Sequence, residues 1–135
     1  MASYKKINHK YKLTSPIQLQ STVYPLREIQ TPFINLKPNG KLFIDVNYAW
    51  DGASGPTIDT DNTIVPSAGH DALFQLMRQN LIDRDVWFLT ANKDICRWMK
   101  DRKMSSLRAN AWKTGLDIFG FKHTLHKEDK IIKVF

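Results

Sequence analysis

Apolar and polar residues alternate through the first fifty positions and then recur every three or four, so the chain reads as strands followed by helices. Ile7, His9, Tyr11 and Leu13 alternate with Lys6, Asn8, Lys10 and Lys12, the period of a half-buried β-strand with one basic face. After Pro16 a second alternation carries Ile17 and Leu19, with Val23 beyond a Ser-Thr break. Residues 32–36 and 41–50 flank Lys37-Pro38-Asn39-Gly40, where proline presets φ and Asn-Gly tolerates positive φ, which predicts a hairpin. On its second arm Leu42, Ile44, Val46, Tyr48 and Trp50 share one face, and Phe43, Asp45, Asn47 and Ala49 the other.

The alternation stops at Asp51-Gly52-Ala53-Ser54-Gly55-Pro56-Thr57-Ile58-Asp59-Thr60-Asp61, a run of turn formers and side-chain oxygens that reads as a shaped loop. A first helix is predicted from Pro66-Ser67 through Asn80, with Leu73, Leu76 and Met77 at helical spacing. A second starts with Asp83 as N-cap and ends near Lys103, its apolar arc formed by Trp87, Phe88, Ala91, Ile95, Trp98 and Met99. A third follows Ser105-Ser106 and stops at Gly120. The tail ends in Ile131-Ile132-Lys133-Val134-Phe135, which reads equally as an edge strand or a mobile end.

Strands grouped before helices predict an α+β fold, a small antiparallel N-terminal sheet with three C-terminal helices packed against it. One domain is expected over 1–135, with a strand-rich part at 4–50, a loop at 51–65, a helical part at 66–120 and a basic tail at 121–135. Trp50, Trp87, Trp98, Trp112, Phe74, Phe88 and Phe119 are the candidate core between helices and sheet.

Composition narrows the classes. The single Cys96 excludes an intramolecular disulfide framework and a zinc site built from several thiolates, which makes a reducing cytoplasm the default compartment. Twenty Lys plus Arg against thirteen Asp plus Glu give a net charge of +7, which favours polyanions. The basic residues fall in small groups without a helix-turn-helix, zinc-finger or RNA-binding signature, so nucleic acid is the less favoured partner class. No stretch approaches the ~18 apolar residues of a spanning helix, and the polar start lacks an apolar secretion core, so membrane insertion is not expected.

On a wheel of about 100° per residue, His70 joins the arc of Leu73, Met77 and Leu81, while Asp71 lies with Gln75 and Arg78. Ser67 stands one turn earlier. His70 reads as a general base or metal ligand, or else as a buried imidazole held by one hydrogen bond; Asp71 reads as its partner or as a solvated residue reaching Arg78. Asp51 closes the aromatic strand end at the rim of the loop, as a catalytic carboxylate or as an Asx-turn. Ser54 is a candidate nucleophile with His70 and Asp51, although the Gly-x-Ser-x-Gly elbow is absent. Asp94, on the edge of the second helix's apolar arc, either completes a cluster with Asp51, His70 and Asp71 or pairs with Arg97, Arg108 or Lys113. Imidazole with carboxylates suits zinc, iron or manganese, and Asp51, His70 and Asp71 are the candidate ligands for a divalent ion.

Three strings, residues 48–57 (YAWDGASGPT), 70–78 (HDALFQLMR) and 106–109 (SLRA), resemble the domain of unknown function 1353 family, over most of the chain up to Gly120. That family is met chiefly in bacteriophages and prophages, so the resemblance implies a phage-encoded protein. It also implies that Asp51, Ser54, His70, Asp71 and Asp94 fall on the family's loop-and-helix pattern, and that Phe74 replaces a tyrosine frequent among relatives. Two functions follow as expectations. One is a small metal-assisted hydrolase; the other is a non-catalytic protein of the virion or tail, or a binder of a host factor, located in the host cytoplasm or the particle.

Overall fold

The long alternation of residues 41–50 breaks after Ile44, and that break decides the architecture. In the computed structural model, which describes residues 4–7, 10–50 and 61–125, Asn47 turns the chain with a φ of 76° while the Tyr48 N–H donates to the Asp45 carbonyl. The predicted arm therefore becomes two strands in two sheets. Strands β1 (Tyr4–Ile7), β2 (Lys10–Leu13) and β7 (Ala49–Trp50) form one antiparallel sheet in the order β1-β2-β7. Strands β3 (Ile17–Gln20), β4 (Ile29–Gln30), β5 (Ile34–Leu36) and β6 (Lys41–Ile44) form the other, in the order β3-β6-β5-β4. The first alternation also divides, but within one sheet, because Ile7 pairs with Lys10 and the two halves fold back on each other.

Side-chain alternation otherwise holds. Ile17, Leu19, Ile34, Leu36, Leu42 and Ile44 are buried on the inner face of the four-stranded sheet, while Tyr48 and Trp50 carry the same face into the other sheet; Val46, on the turn, is exposed. Each fully buried aliphatic side chain stabilises the fold by about 1.5–3 kcal/mol. The predicted hairpin is present. Gly40 N–H donates to the Lys37 carbonyl, and Gly40 takes a φ of 87° before β6, the turn-plus-bulge that a type I turn needs to rejoin two strands.

Helix α1 (Asp61–Arg78) begins five residues before the predicted start, so Pro66 sits in its second turn. The added turn buries Thr63, Ile64 and Val65, and the proline's missing N–H removes one intrahelical bond. Asn80 closes the helix in the left-handed region with a φ of 58°. Helix α2 (Arg84–Asp101) starts as expected, with the Asp83 carboxylate accepting from Asp85 N–H, and α3 (Ser106–Phe119) starts on Ser105, whose hydroxyl accepts from Arg108 N–H. None of the described helices is long and apolar enough to cross a membrane.

Trp50, Trp98, Phe74 and Phe88 are buried, with Trp87 and Trp112 packed partly buried against them. Phe119 is the exception at 71 % exposed, and it is Phe121, beyond Gly120, that packs beside Phe88, edge-on at 5.2 Å. Residues Phe121–Thr124 form a single 3₁₀ turn. Arg78 donates to the His123 carbonyl, and Arg84 to the carbonyls of Thr124 and Met77. The apolar end at 131–135 lies outside the described residues.

A Cβ at Gly40 would collide with the Ser21 carbonyl oxygen, on a backbone that L residues resist. Gly40→Ala is therefore expected to lower stability by about 1–3 kcal/mol, read as a fall in the urea midpoint. An unchanged midpoint would mean that the turn can move away from Ser21.

Candidate functional site

Four of the six singled-out side chains are described, and each joins two elements. Asp51 and Ser54 lie outside the described residues. Ser67 faces the three-stranded sheet, where its hydroxyl accepts from Trp50 Nε1–H at 2.9 Å and donates to the Ile64 carbonyl at 2.6 Å. Asp71, one turn on, accepts the Tyr48 hydroxyl at 2.7 Å on Oδ2 and has Arg78 at 3.9 Å from Oδ1. Burial, with the adjoining Asp71 carboxylate adding to it, pushes the Tyr48 phenol up from the ordinary tyrosine value. Asp71 itself keeps about two-fifths of its side chain in water (39 %), so its pairing with Arg78 is largely screened.

His70 turns the other way, into the seam between α1 and α2. Its ring lies 4.0 Å from that of Phe74, and Nε2 lies 2.7 Å from Asn92 Oδ1. Asn92 Nδ2–H donates to Asp117 Oδ1 at 2.9 Å, and Lys113 donates to the second Asp117 oxygen from the preceding turn of α3. A carboxylate only accepts, so the Asn92 amide must direct its NH₂ at Asp117 and its oxygen at His70. Nε2 then carries the imidazole proton, and Nδ1 is left as the lone-pair nitrogen. Burial is the main cause that pulls the His70 pKa down from its ordinary value, opposed by the Asn92 bond and the charges of Asp71 and Asp94, with His123 acting in the same direction as burial. The imidazole is neutral at pH 7.

Asp94 is placed elsewhere. With no exposed side-chain surface, it accepts from Ser21 Oγ–H, from Thr22 N–H at 3.0 and 3.1 Å, from Thr22 Oγ1–H at 2.7 Å and from Arg97 at 3.0 Å. Arg97 reaches on to the Gln20 carbonyl, which also accepts from Trp98 Nε1–H. Asp94 thus clasps the end of β3 to α2 and acts on His70 through its charge alone. Of its three candidate cations Arg97 is the partner, while Lys113 serves Asp117. Cys96 is buried, with Asn110 Oδ1 at 3.4 Å from its sulfur.

Among the described residues no three His, Cys, Asp or Glu side chains converge as a metal site would require. His70 offers one neutral nitrogen, and Asp71 has a phenol and a guanidinium beside its oxygens. A divalent ion at His70 and Asp71 would depend on Asp51 for a third ligand.

Sequence reasoning missed Asn92, Asp117 and Tyr48. One signal was present: Asn92 stands four residues after Phe88 and three before Ile95, inside the apolar arc of α2, where a buried amide needs a polar partner. Scans against protein-family models, curated proteins and solved structures returned no match.

Unfolding restores the ordinary histidine pKa of about 6.5, so below that pH the unfolded chain binds the proton that folded His70 refuses, and stability falls as pH falls. His70→Gln keeps an N–H for Asn92 and cannot titrate. Between pH 7 and 5 the wild-type urea midpoint is expected to fall further than that of His70→Gln, and ¹⁵N NMR at pH 7 to show protonated Nε2. Parallel falls, or a proton on Nδ1, would contradict the bonding pattern.

Proposed function

We propose that this chain is a small phage-encoded hydrolase in which His70 acts as the general base. What supports the reading is the Lys113, Asp117, Asn92 and His70 relay, which orients the ring and leaves Nδ1 to take a proton, while burial favours the neutral imidazole. A metal-bound imidazole commonly has its other ring nitrogen hydrogen-bonded in this way, so the same relay suits His70 as a ligand. In the metal-assisted form Asp51 and Asp71 would supply the carboxylates, and the ion would activate water or polarise a phosphoryl or acyl oxygen. Ser54 belongs to the same proposal as an alternative nucleophile. The phage origin rests on the resemblance of residues 48–57, 70–78 and 106–109 to the domain of unknown function 1353 family.

A second reading has its own observation in favour. Ser67 and Asp71 bond to Trp50 in β7 and to Tyr48 just before it, and Asp94 bonds to Ser21 just after β3, a pattern that also suits a non-catalytic virion, tail or host-binding protein held rigid by polar clasps. The two readings divide at His70.

Protein purified without chelator is to be analysed for bound metal and assayed on phosphoester, peptide and cell-wall substrates beside His70→Gln. The hydrolase reading expects turnover that falls by about 10²–10⁴-fold in the variant while the melting temperature is held within a few degrees. Absent turnover and absent metal, or losses of stability and partner binding that run in parallel, would replace it with the clasp reading.

A further inference from the structure

The outer face of the four-stranded sheet holds a cleft of about 280 Å³ lined by Pro16, Gln30, Phe33, Asn35, Phe43 and Asp45, with Ile34 and Ile44 as its floor. It lies apart from His70. The register explains its chemistry. Asn35 stands opposite Phe43, and the Asp45 N–H donates to the Phe33 carbonyl, so the next outward row sets Phe33 against Asp45. The four side chains make a square with phenyl rings on one diagonal and an amide and a carboxylate on the other. Diagonal neighbours on a sheet face stand about 7–8 Å apart, within joint reach of one small group between them.

The polar atoms of this square are one-sided. Both amide hydrogens of Asn35 are engaged, by Glu28 Oε2 at 2.8 Å and Gln30 Oε1 at 2.5 Å, while its Oδ1 is closed off from water and has no hydrogen-bond partner. Gln30 Nε2–H donates to the Thr31 carbonyl. Asp45 uses Oδ1 for the Val46 N–H, and its carboxylate is otherwise acceptor-only. Phe33 is 43 % exposed, and the Phe43 ring already draws a cation of the chain itself, Lys37 Nζ at 5.8 Å from its centre. Two π faces, a negative charge and an amide oxygen lacking a donor complement a donor-rich cation.

We propose that this cleft binds a guanidinium or primary ammonium group, with the cation between Phe33 and Phe43 and its N–H groups on Asp45 and Asn35 Oδ1. An uncharged ligand of the same shape would forgo the attraction to both rings and to the carboxylate. The site is independent of any chemistry at His70. On a protein of net charge +7 it is a local reversal of sign, which selects for a cation where the remaining surface repels one.

The full chain, ¹⁵N-labelled, is to be titrated with N-acetyl-arginine amide, with its neutral analogue N-acetyl-citrulline amide, and with putrescine. Saturable shifts confined to residues 30–36 and 43–45 are expected with the cations and not with the citrulline derivative. Phe43→Leu, whose side chain lies on the face away from the core, should weaken binding roughly five- to thirty-fold, the range of a cation–π contact. Asp45→Asn, which keeps Oδ1 for Val46, should weaken it as well. Preference for the arginine derivative over putrescine would assign the site to a basic side chain of a partner; the reverse would assign it to a free amine. No saturation up to about 20 mM, beyond the millimolar range of a weak site, would overturn the proposal. Equal shifts with the citrulline derivative, or an undiminished response in folded Phe43→Leu, would overturn it too.

Discussion

A carboxylate stripped of water must find all its donors within the protein, and Asp94 meets that constraint where sheet and helices join. Its donors come from Ser21 and Thr22, the residues that follow β3, and from Arg97 on its own helix. They hold the end of an edge strand against α2. Gly69 then allows α1 into the same corner, since a Cβ there would stand 2.5 Å from Leu19 and 2.8 Å from Trp98. With β3, α1 and α2 fixed to one another, the orientation of His70 towards Asn92 follows from where the two helices are held.

Each seam of the molecule is closed by a similar device at a different depth. Trp50 and Tyr48 bring the three-stranded sheet onto α1 through Ser67 and Asp71, and Asn92 links α1 to α3 through His70 and Asp117. Most partners lie far apart in sequence, so these bonds form only when the tertiary arrangement is complete. Removing one partner leaves a desolvated group behind, which makes such bonds costlier to break than their net contribution to stability implies. A catalytic imidazole benefits from that rigidity, and so does a passive scaffold. Bond geometry alone is common to both, and titration and turnover separate them.

Local pattern made several elements legible in the sequence. Asp83, Ser105 and Gly120 mark helix boundaries because capping depends on residues a few positions apart. Lys37 to Gly40 mark a turn for the same reason. The division into two sheets was not legible, because Val46 continues the alternation while Asn47 reverses the chain. At the candidate site, the wheel separated His70 from Asp71 correctly, since that separation is a property of one helix. It had no means of assigning Asp94 to Ser21 and Thr22, more than seventy positions away. The burial of Asn92 was readable from its place among apolar neighbours, but the identity of its partners required the packing of three helices.

The pairing of Arg78 and Arg84 with the carbonyls of His123 and Thr124 has a consequence for where the folding unit ends. Two guanidinium groups from different helices read backbone oxygens that belong to no helix end of their own, so the short turn after Gly120 serves as the keystone of the helical layer and not as its overhang. A cut at the apparent helix stop would take one acceptor from each arginine and bare the face of Phe88. The packing of the helical layer therefore draws on the chain at least as far as Thr124.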